Sequence, residues 1–536
     1  MLNGVPGRWI NCKNGLRQGD PLSPYLFLSV AELLRCLIVD DSGEGRLRHP
    51  LADYLPCRII QYADDTLIIL PADPLQVARL RSVLDTFSRA TGLEINFHKS
   101  TFVPIHVPPS RATHLASILE CSISAFPQNY LGLPLSDHKL PASALEFLAT
   151  KITKQIPGWR TSLIPIGGRL TLSTAVLSAL PLHAMSVLPL QKGVVAKMDR
   201  PRRAMLWKAA AVCSGGDCQV AWDFVCRLRS EGGLGVVDFG LQNTCLLLKT
   251  LHSLFSGRDT PWTRWVRRSY MCSCPQPSTP SWRHFESLVP LYRSITRVAP
   301  VDGATTSLWH DSWTPLGPLV AALPSAFSHC LEPDMMLAAA VSGGSIPTQR
   351  QLSVQAVAEL TYLHSRVREA QLAAGPDRHL VALGCSTEFR SGDVYRALHA
   401  SGCVVPHNDL NWVNFAPPKV RVFFWILRLE RTRTRAHLHR VGCVPVSDCP
   451  FCNSVVEDIP HVFVRCPRLS AVWATKPEPL TPCGPRRAVA GSPCPLPRAT
   501  PSSSPSCGPF GNHTTAWCST VSCSLALGSS PWSWST

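Results

Sequence analysis

Two groups of side chains in this 536-residue chain could do chemistry. The first is Asp64-Asp65 in Tyr62-Ala63-Asp64-Asp65, set between the apolar runs Cys57-Arg58-Ile59-Ile60 and Thr66-Leu67-Ile68-Ile69-Leu70. Adjacent carboxylates between β-branched runs predict the tip of a hairpin, where partly desolvated acids call for a cation beside them. An all-oxygen acidic site suits Mg²⁺, which completes its octahedron with water and substrate phosphates. Used in pairs, such ions activate an attacking oxygen and steady a leaving group. The same residues could also be no more than the polar turn of a hairpin, because Asp is a common turn residue.

The second group is Cys449, Cys452, His461 and Cys466. The pattern C-x2-C-x8-H-x4-C offers four ligands, the number that a closed tetrahedral Zn²⁺ site takes. Free thiols remain the alternative in a reducing compartment. That compartment is the simpler expectation, because the 22 cysteines are scattered and no charged segment followed by an apolar one opens the chain.

Each group needs elements to hold it. Ahead of the acids, Asn14-Gly15-Leu16-Arg17-Gln18-Gly19-Asp20-Pro21-Leu22-Ser23-Pro24 predicts a basic, glycine-bearing turn entering a helix. Ser23 would cap that helix and Pro24 would open it, with Leu26, Val30, Leu33 and Leu37 facing a core. Behind the acids, Val77, Leu80, Val83, Leu84 and Phe87 form one helical face that stops at Gly92. Ahead of the cysteines, Val422, Trp425, Ile426 and Leu429 make an inward stripe, leaving Arg428, Arg431, Arg433, Arg435, His439 and Arg440 outside.

Five ordered segments carry a specific resemblance. NGLRQGDPLSPYLF followed by QYADDTLIIL resembles motifs B and C of reverse transcriptases, most closely those of plant non-LTR (LINE-type) retrotransposons. GLEINFHKS (92–100) resembles motif D, and YLGLPL (130–135) resembles the element leading to the primer grip. The block at 388–473, down to HVFVRCPRLSAVW, resembles the reverse-transcriptase zinc-binding domain of plant LINE polyproteins.

The resemblance implies an α+β fold: a right-hand palm with an antiparallel sheet and helices, a mainly helical thumb and connection, and a small zinc domain. It implies that Asp64 and Asp65 hold Mg²⁺. Arg17, Gln18, Gly19 and Tyr62 would lie near template and incoming nucleotide, and Lys99 would meet the departing pyrophosphate. The implied partners are an RNA template, a DNA primer and a deoxynucleoside triphosphate. In the family a further aspartate, on a strand before motif B, completes the metal site. This sequence opens just before motif B, so the expectation is that the chain alone does not polymerise.

The segments divide into a partial palm (1–135), a helical thumb and connection (136–255), a connection of unassigned role (256–387), the zinc domain (388–473) and a Pro/Ser/Gly-rich tail (474–536) expected to be disordered. In the thumb, Lys151, Lys154, Arg160 and Arg169 are candidates for phosphate contact, and the apolar stretch from Leu170 to Leu190 predicts a buried helix broken near Pro181. Trp309 and Trp313 predict core. An excess of 52 Lys+Arg over 36 Asp+Glu, a formal charge of +16, favours a polyanionic partner.

No segment predicts a membrane span, so an intracellular protein, nuclear or cytoplasmic, is expected. The other classes that fit are a non-catalytic nucleic-acid-binding protein acting through its zinc domain and a decayed transposon remnant.

Overall fold

The computed structural model describes residues 19–39, 47–50, 59–156, 162–210, 212–271, 279–383, 388–400, 409–413 and 415–468. Arg17, Gln18, Arg160 and the 474–536 tail lie outside these.

The acidic pair is held by a short hairpin, β1 (Ile59–Tyr62) and β2 (Asp65–Ile68), antiparallel with Tyr62 opposite Asp65. Helix α1 (Ser23–Val39) packs on one side of it and α2 (Pro74–Thr91) covers the same core. The α2 boundaries follow from local chemistry. The Asp73 carboxylate accepts the Leu75 N–H, Pro74 opens the first turn, and Gly92, at φ 73°, closes the last turn by donating to Ser88 O. All five residues of its predicted apolar face are buried.

The α1 face differs from its expected position. Leu34 and Ile38 are buried and Val30 and Leu37 half-buried, whereas Leu26 and Leu33 are exposed. This helix is apolar around much of its circumference, so periodicity marked a stripe but not the edge at which α2 and β1 meet it.

The expected single antiparallel sheet is also replaced. Among the described residues, β3 (Thr101–Phe102) and β4 (Ser122–Ile123) pair in parallel after α3 (Pro109–Leu119). Strands β5 (Gln128–Tyr130) and β6 (Leu133–Leu135) form a second hairpin. The three pieces are joined by side-chain packing and not by a continuous ladder.

The next layer is helical: α4 (Glu146–Lys154), α5 (Ile166–Thr171), a π-helical turn (Leu172–Leu177), α6 (Leu182–Met185), α7 (Lys192–Lys208), α8 (Trp222–Cys226) and α9 (Phe239–Phe255). The break at Ser178–Pro181 falls where Pro181 was expected to make it. Arg202, fully buried, ties the layer together. Its guanidinium donates to Asp199 (2.6 Å), Ser178 Oγ (3.0 Å) and Val237 O (2.8 Å) and lies over the Phe239 ring. Both terminal nitrogens of this buried group are thereby used, while its Nε has no hydrogen-bond partner among the described residues.

Beyond it, α10 (Pro261–Tyr270) and α11 (Pro280–Ile295) pack on α9, and β7 (Thr296–Ala299) pairs with β8 (Arg378–Val381). Helices α12 (Leu319–Ala322), α13 (Pro324–Ser328), α14 (Leu337–Gly343) and α15 (Val354–Glu369) surround Trp309, which is fully buried. Trp313, half-buried, joins the same core and donates to Leu308 O.

Helix α16 (Ser391–His399) lies on α9, and α17 (Asp409–Trp412) leads to α18 (Pro418–Arg428) and α19 (Arg435–Arg440). Val422, Trp425 and Ile426 of α18 share one core with Leu170, Leu206, Val225 and Leu234 from the preceding helical layer. The Trp425 indole donates to Gly232 O, and a side chain at Gly167 would stand 2.6 Å from the Lys419 nitrogen. No described helix is long and apolar enough to cross a membrane.

Candidate functional site

The acids sit where the chain reverses. Ala63 and Asp64 form the turn and Asp65 is the first residue of β2, so only Asp65 follows the strand's alternation. Ala63 is held at φ 52°, a left-handed conformation costing an L-residue about 1–2 kcal/mol. Such a conformation persists only where the surrounding structure holds it.

The two faces of the hairpin separate by register. Ile59 and Ile68 enter the α1–α2 core, and Gln61, Ala63 and Thr66 line a narrow recess with Phe27, Ala31 and Leu34. Ile60 and Leu67 face the second hairpin, where Leu67 packs on Tyr130. Asp65, two residues before Leu67, shares that face.

The electrostatics agree with this placement. Burial, and then the neighbouring Asp64, push the Asp65 carboxyl above its ordinary value. Tyr130 is pushed up to about 12, by burial first and by Asp65 second. Its hydroxyl is buried without a hydrogen-bond partner among the described residues. A desolvated acid, a like charge and an unused hydroxyl together form a spot that a cation would relieve.

Among the described residues no third Asp, Glu, His or Cys joins Asp64 and Asp65 into a ligand cluster. Gly19 is exposed at φ 86°, a conformation suited to glycine, with open space where a side chain would be. Tyr62 is exposed at the hairpin end. Lys99 is exposed on the turn after α2, its backbone N–H held by Asn96 Oδ1.

Of the thumb cations, Lys151 and Lys154 are exposed on α4. Arg169 is not available as expected: it is half-buried and its guanidinium donates to Leu206 O at 3.0 Å. Its position beside a tight glycine pair put it against α7 instead of solvent.

The second group is brought together completely. One ligand atom from each of Cys449, Cys452, His461 and Cys466 lies within 4.8 Å of the others. Cys449 Sγ is 4.0 Å from Cys466 Sγ, and Cys452 Sγ is 3.3 Å from His461 Nε2. Ligands on a tetrahedral Zn²⁺ at its usual bond lengths stand about 3.6–3.8 Å apart. Cys443 is exposed and takes no part.

Local structure explains the spacing. Asn453 at φ 53° turns the chain so that its N–H reaches Cys449 O, closing the CxxC loop. On an α-helix a step of five residues would turn Cys466 about 140° away from His461. The chain makes a π-helical turn over His461–Arg465 instead, and the Cys466 N–H donates to His461 O at 2.8 Å. Asp458 Oδ1 accepts the His461 N–H, and Glu457 ties the loop to α19 by accepting the Arg435 N–H.

The donors are chemically matched to a metal. Cys452 is held down to about 6, chiefly by the Ser454 hydroxyl and N–H with His461 adding to them. Burial pushes Cys449 up, and binding a metal would offset that.

Comparison with known proteins follows the same two regions. Residues 1–135 match the family described as reverse transcriptase (RNA-dependent DNA polymerase), and residues 389–473 match the zinc-binding domain found in reverse transcriptase. A retrovirus-related Pol polyprotein from the type-1 retrotransposable element R2 of Popillia japonica is 26% identical over 345 residues, 59% of this chain and 53% of that protein. Both domain matches and the Pol relative fit a fragment of a non-LTR retrotransposon reverse transcriptase.

Other relatives come from Arabidopsis thaliana. A putative ribonuclease H protein is 24% identical over 360 residues, 64% of the chain and 57% of that protein. An uncharacterized mitochondrial protein is 32% identical over 158 residues, 26% of the chain and 99% of that protein. The chain spans about half the length of the longer relatives.

Within this retrotransposon family, Tyr130 and Ser454 are the site neighbours that the sequence did not single out. Tyr130 stands just before the Leu131-Gly132 turn, with both residues at positive φ. That tight turn is the signal that could have placed β5 and β6 back to back with the acids.

Proposed function

We propose that the Asp64–Asp65 hairpin is the magnesium-holding element of an RNA-directed DNA polymerase, with template and primer passing over the exposed Tyr62 end. The observation that carries this reading is the partly buried Asp65 carboxyl, raised by burial and by the adjoining Asp64 on a strained turn, with no cation beside the pair among the described residues. When bound, Mg²⁺ supplies Lewis acidity toward the nucleotide phosphates. Asp65 and Asp64 contribute charge and oxygen ligands, Tyr130 closes the site from beneath, and Gly19 leaves room for backbone to approach a base pair.

Among the described residues two carboxylates make an incomplete clamp for two ions, so the expected outcome is that the chain by itself does not extend a primer. Poly(rA)/oligo(dT) extension with Mg²⁺ or Mn²⁺ tests this. Robust incorporation that disappears in Asp64→Asn would show that the pair suffices. Direct Mn²⁺ titration by electron paramagnetic resonance tests the hairpin itself, and unchanged binding in the Asp64→Asn/Asp65→Asn double variant would remove the metal assignment.

We further propose that Cys449, Cys452, His461 and Cys466 hold one Zn²⁺. Four protein ligands leave no open position, so its role is to fix the fold. This favours a second reading, in which the chain is a non-catalytic nucleic-acid binder. RNA binding retained in the double aspartate variant, without primer extension in either protein, is the result that reading requires.

A further inference from the structure

Helix α18 has two apolar faces, and only one is buried in a core. Val422, Trp425 and Ile426 point into the core shared with α5, α7 and α8. On the other side Val420, Phe423 and Phe424 remain 44, 45 and 39% exposed. Phe423 reaches the zinc unit, its ring centroid 6.0 Å from that of Phe463, in the turn between His461 and Cys466. The tip of the CxxC loop adds Phe451, 54% exposed.

Exposed phenylalanines in such number need an occupant, and charge identifies its class. Between residues 418 and 440 the sole acid is Glu430, against one lysine and six arginines. Along α18 the two types alternate at helical spacing: Lys419 stands four residues before Phe423, and Arg428 four residues after Phe424. A protein-docking face would bury the rings without needing a fence of cations. A duplex would meet the cations through its phosphates but offer the rings no open base face. Unpaired nucleotides satisfy both, with bases on the rings and phosphates on the cations.

We infer that the outer face of α18 and the adjoining zinc loop form a platform for single-stranded nucleic acid, with bases stacking on Phe424 and its aromatic neighbours. The inference rests on the nucleic-acid role proposed above but not on the aspartates. Because α18 is anchored in the helical layer, the platform is fixed relative to that layer instead of swinging on a linker.

The test uses the zinc-loaded full chain and fluorescein-labelled 20-nucleotide oligo(U), followed by anisotropy, with a perfect RNA duplex of equal length as competitor. Phe424→Ala should weaken oligo(U) binding by about tenfold, with Phe424→Tyr restoring it. Arg428→Ala should lower the dependence of binding on salt, by about 0.7 in the log–log slope for each phosphate that the guanidinium neutralises. The duplex should compete poorly.

Zinc content of one per chain and an unchanged far-ultraviolet spectrum exclude misfolding of the variants. Equal binding by Phe424→Ala and the parent, equal competition by duplex, or restoration by Phe424→Leu as full as by Phe424→Tyr would each overturn the platform. Loss of oligo(U) binding in Asp64→Asn/Asp65→Asn with none in Phe424→Ala would place the binding on the hairpin instead. Parent-like oligo(U) binding in the aspartate variant, with Mn²⁺ binding unchanged, would sink the hairpin assignment alone.

Discussion

The acidic hairpin and the zinc loop are both metal-type donor sets, yet they are built in opposite ways. The cysteine–histidine set is closed: its four donors lie within one loop and turn, each backbone kink has a named hydrogen bond, and a thiol is already lowered to about 6. The aspartate pair is open: two oxygen ligands on a strained turn, with like charges adjacent and a neighbouring hydroxyl unused. A structural site gains from completeness, because binding energy becomes folding energy. A site for exchange with substrate must leave ligand positions vacant, and under the proposed role the hairpin would bear the cost as strain and repulsion.

The contrast is most sharply broken at the zinc loop. Cys449→Ala should abolish zinc binding and unfold residues 434–466, because structural zinc contributes on the order of 10 kcal/mol or more to such units. Elemental analysis should read zero zinc in place of one, and retention of zinc would show that the set is not closed.

Next is the coupling of that unit to the helical layer. Trp425→Ala should cost about 3–5 kcal/mol in urea unfolding, since the buried indole fills the shared core and its N–H bonds Gly232 O. An effect under about 1 kcal/mol would mean that α18 is a passive linker.

A third expectation concerns pH. Burial lowers His252 and His379 to about 4 from an ordinary 6.5. The folded chain therefore binds fewer protons than the unfolded one between those values, and stability falls as pH drops from about 6.5 toward 4. The loss should be about a few kcal/mol in the unfolding free energy from urea titrations and should shrink in His252→Gln, whereas a flat profile would show both rings protonated without cost.

The smallest stability effect belongs to the acids. Asp65 is raised, so its ionised form opposes folding at neutral pH and protonation relieves it. Asp65→Asn should leave stability unchanged or raise it by under about 1 kcal/mol while removing Mn²⁺ affinity. A clear destabilisation would mean that the carboxylate holds the fold and is not waiting for a cation.

Much of this was legible because it is local. The hairpin follows from an acid pair between β-branched runs, α2 from Asp73, Pro74 and Gly92, and the cysteine–histidine cluster from its spacing. Misplacements arose where an apolar or cationic residue had several possible neighbours. Leu26 and Leu33 carry the right period in α1 but lie on its exposed side, and Arg169 looks like a phosphate contact but holds Leu206 O.

The sequence alone determined the donor types, the turns and the reverse-transcriptase kinship, because these depend on residues a few positions apart. Tertiary structure decided that Tyr130 backs the acids, that Arg202 can be buried, and that α18 joins the zinc loop to the helical layer. Those outcomes depend on which surfaces meet across tens to hundreds of residues. Periodicity tells a helix which face is apolar, but only packing tells it what that face will touch.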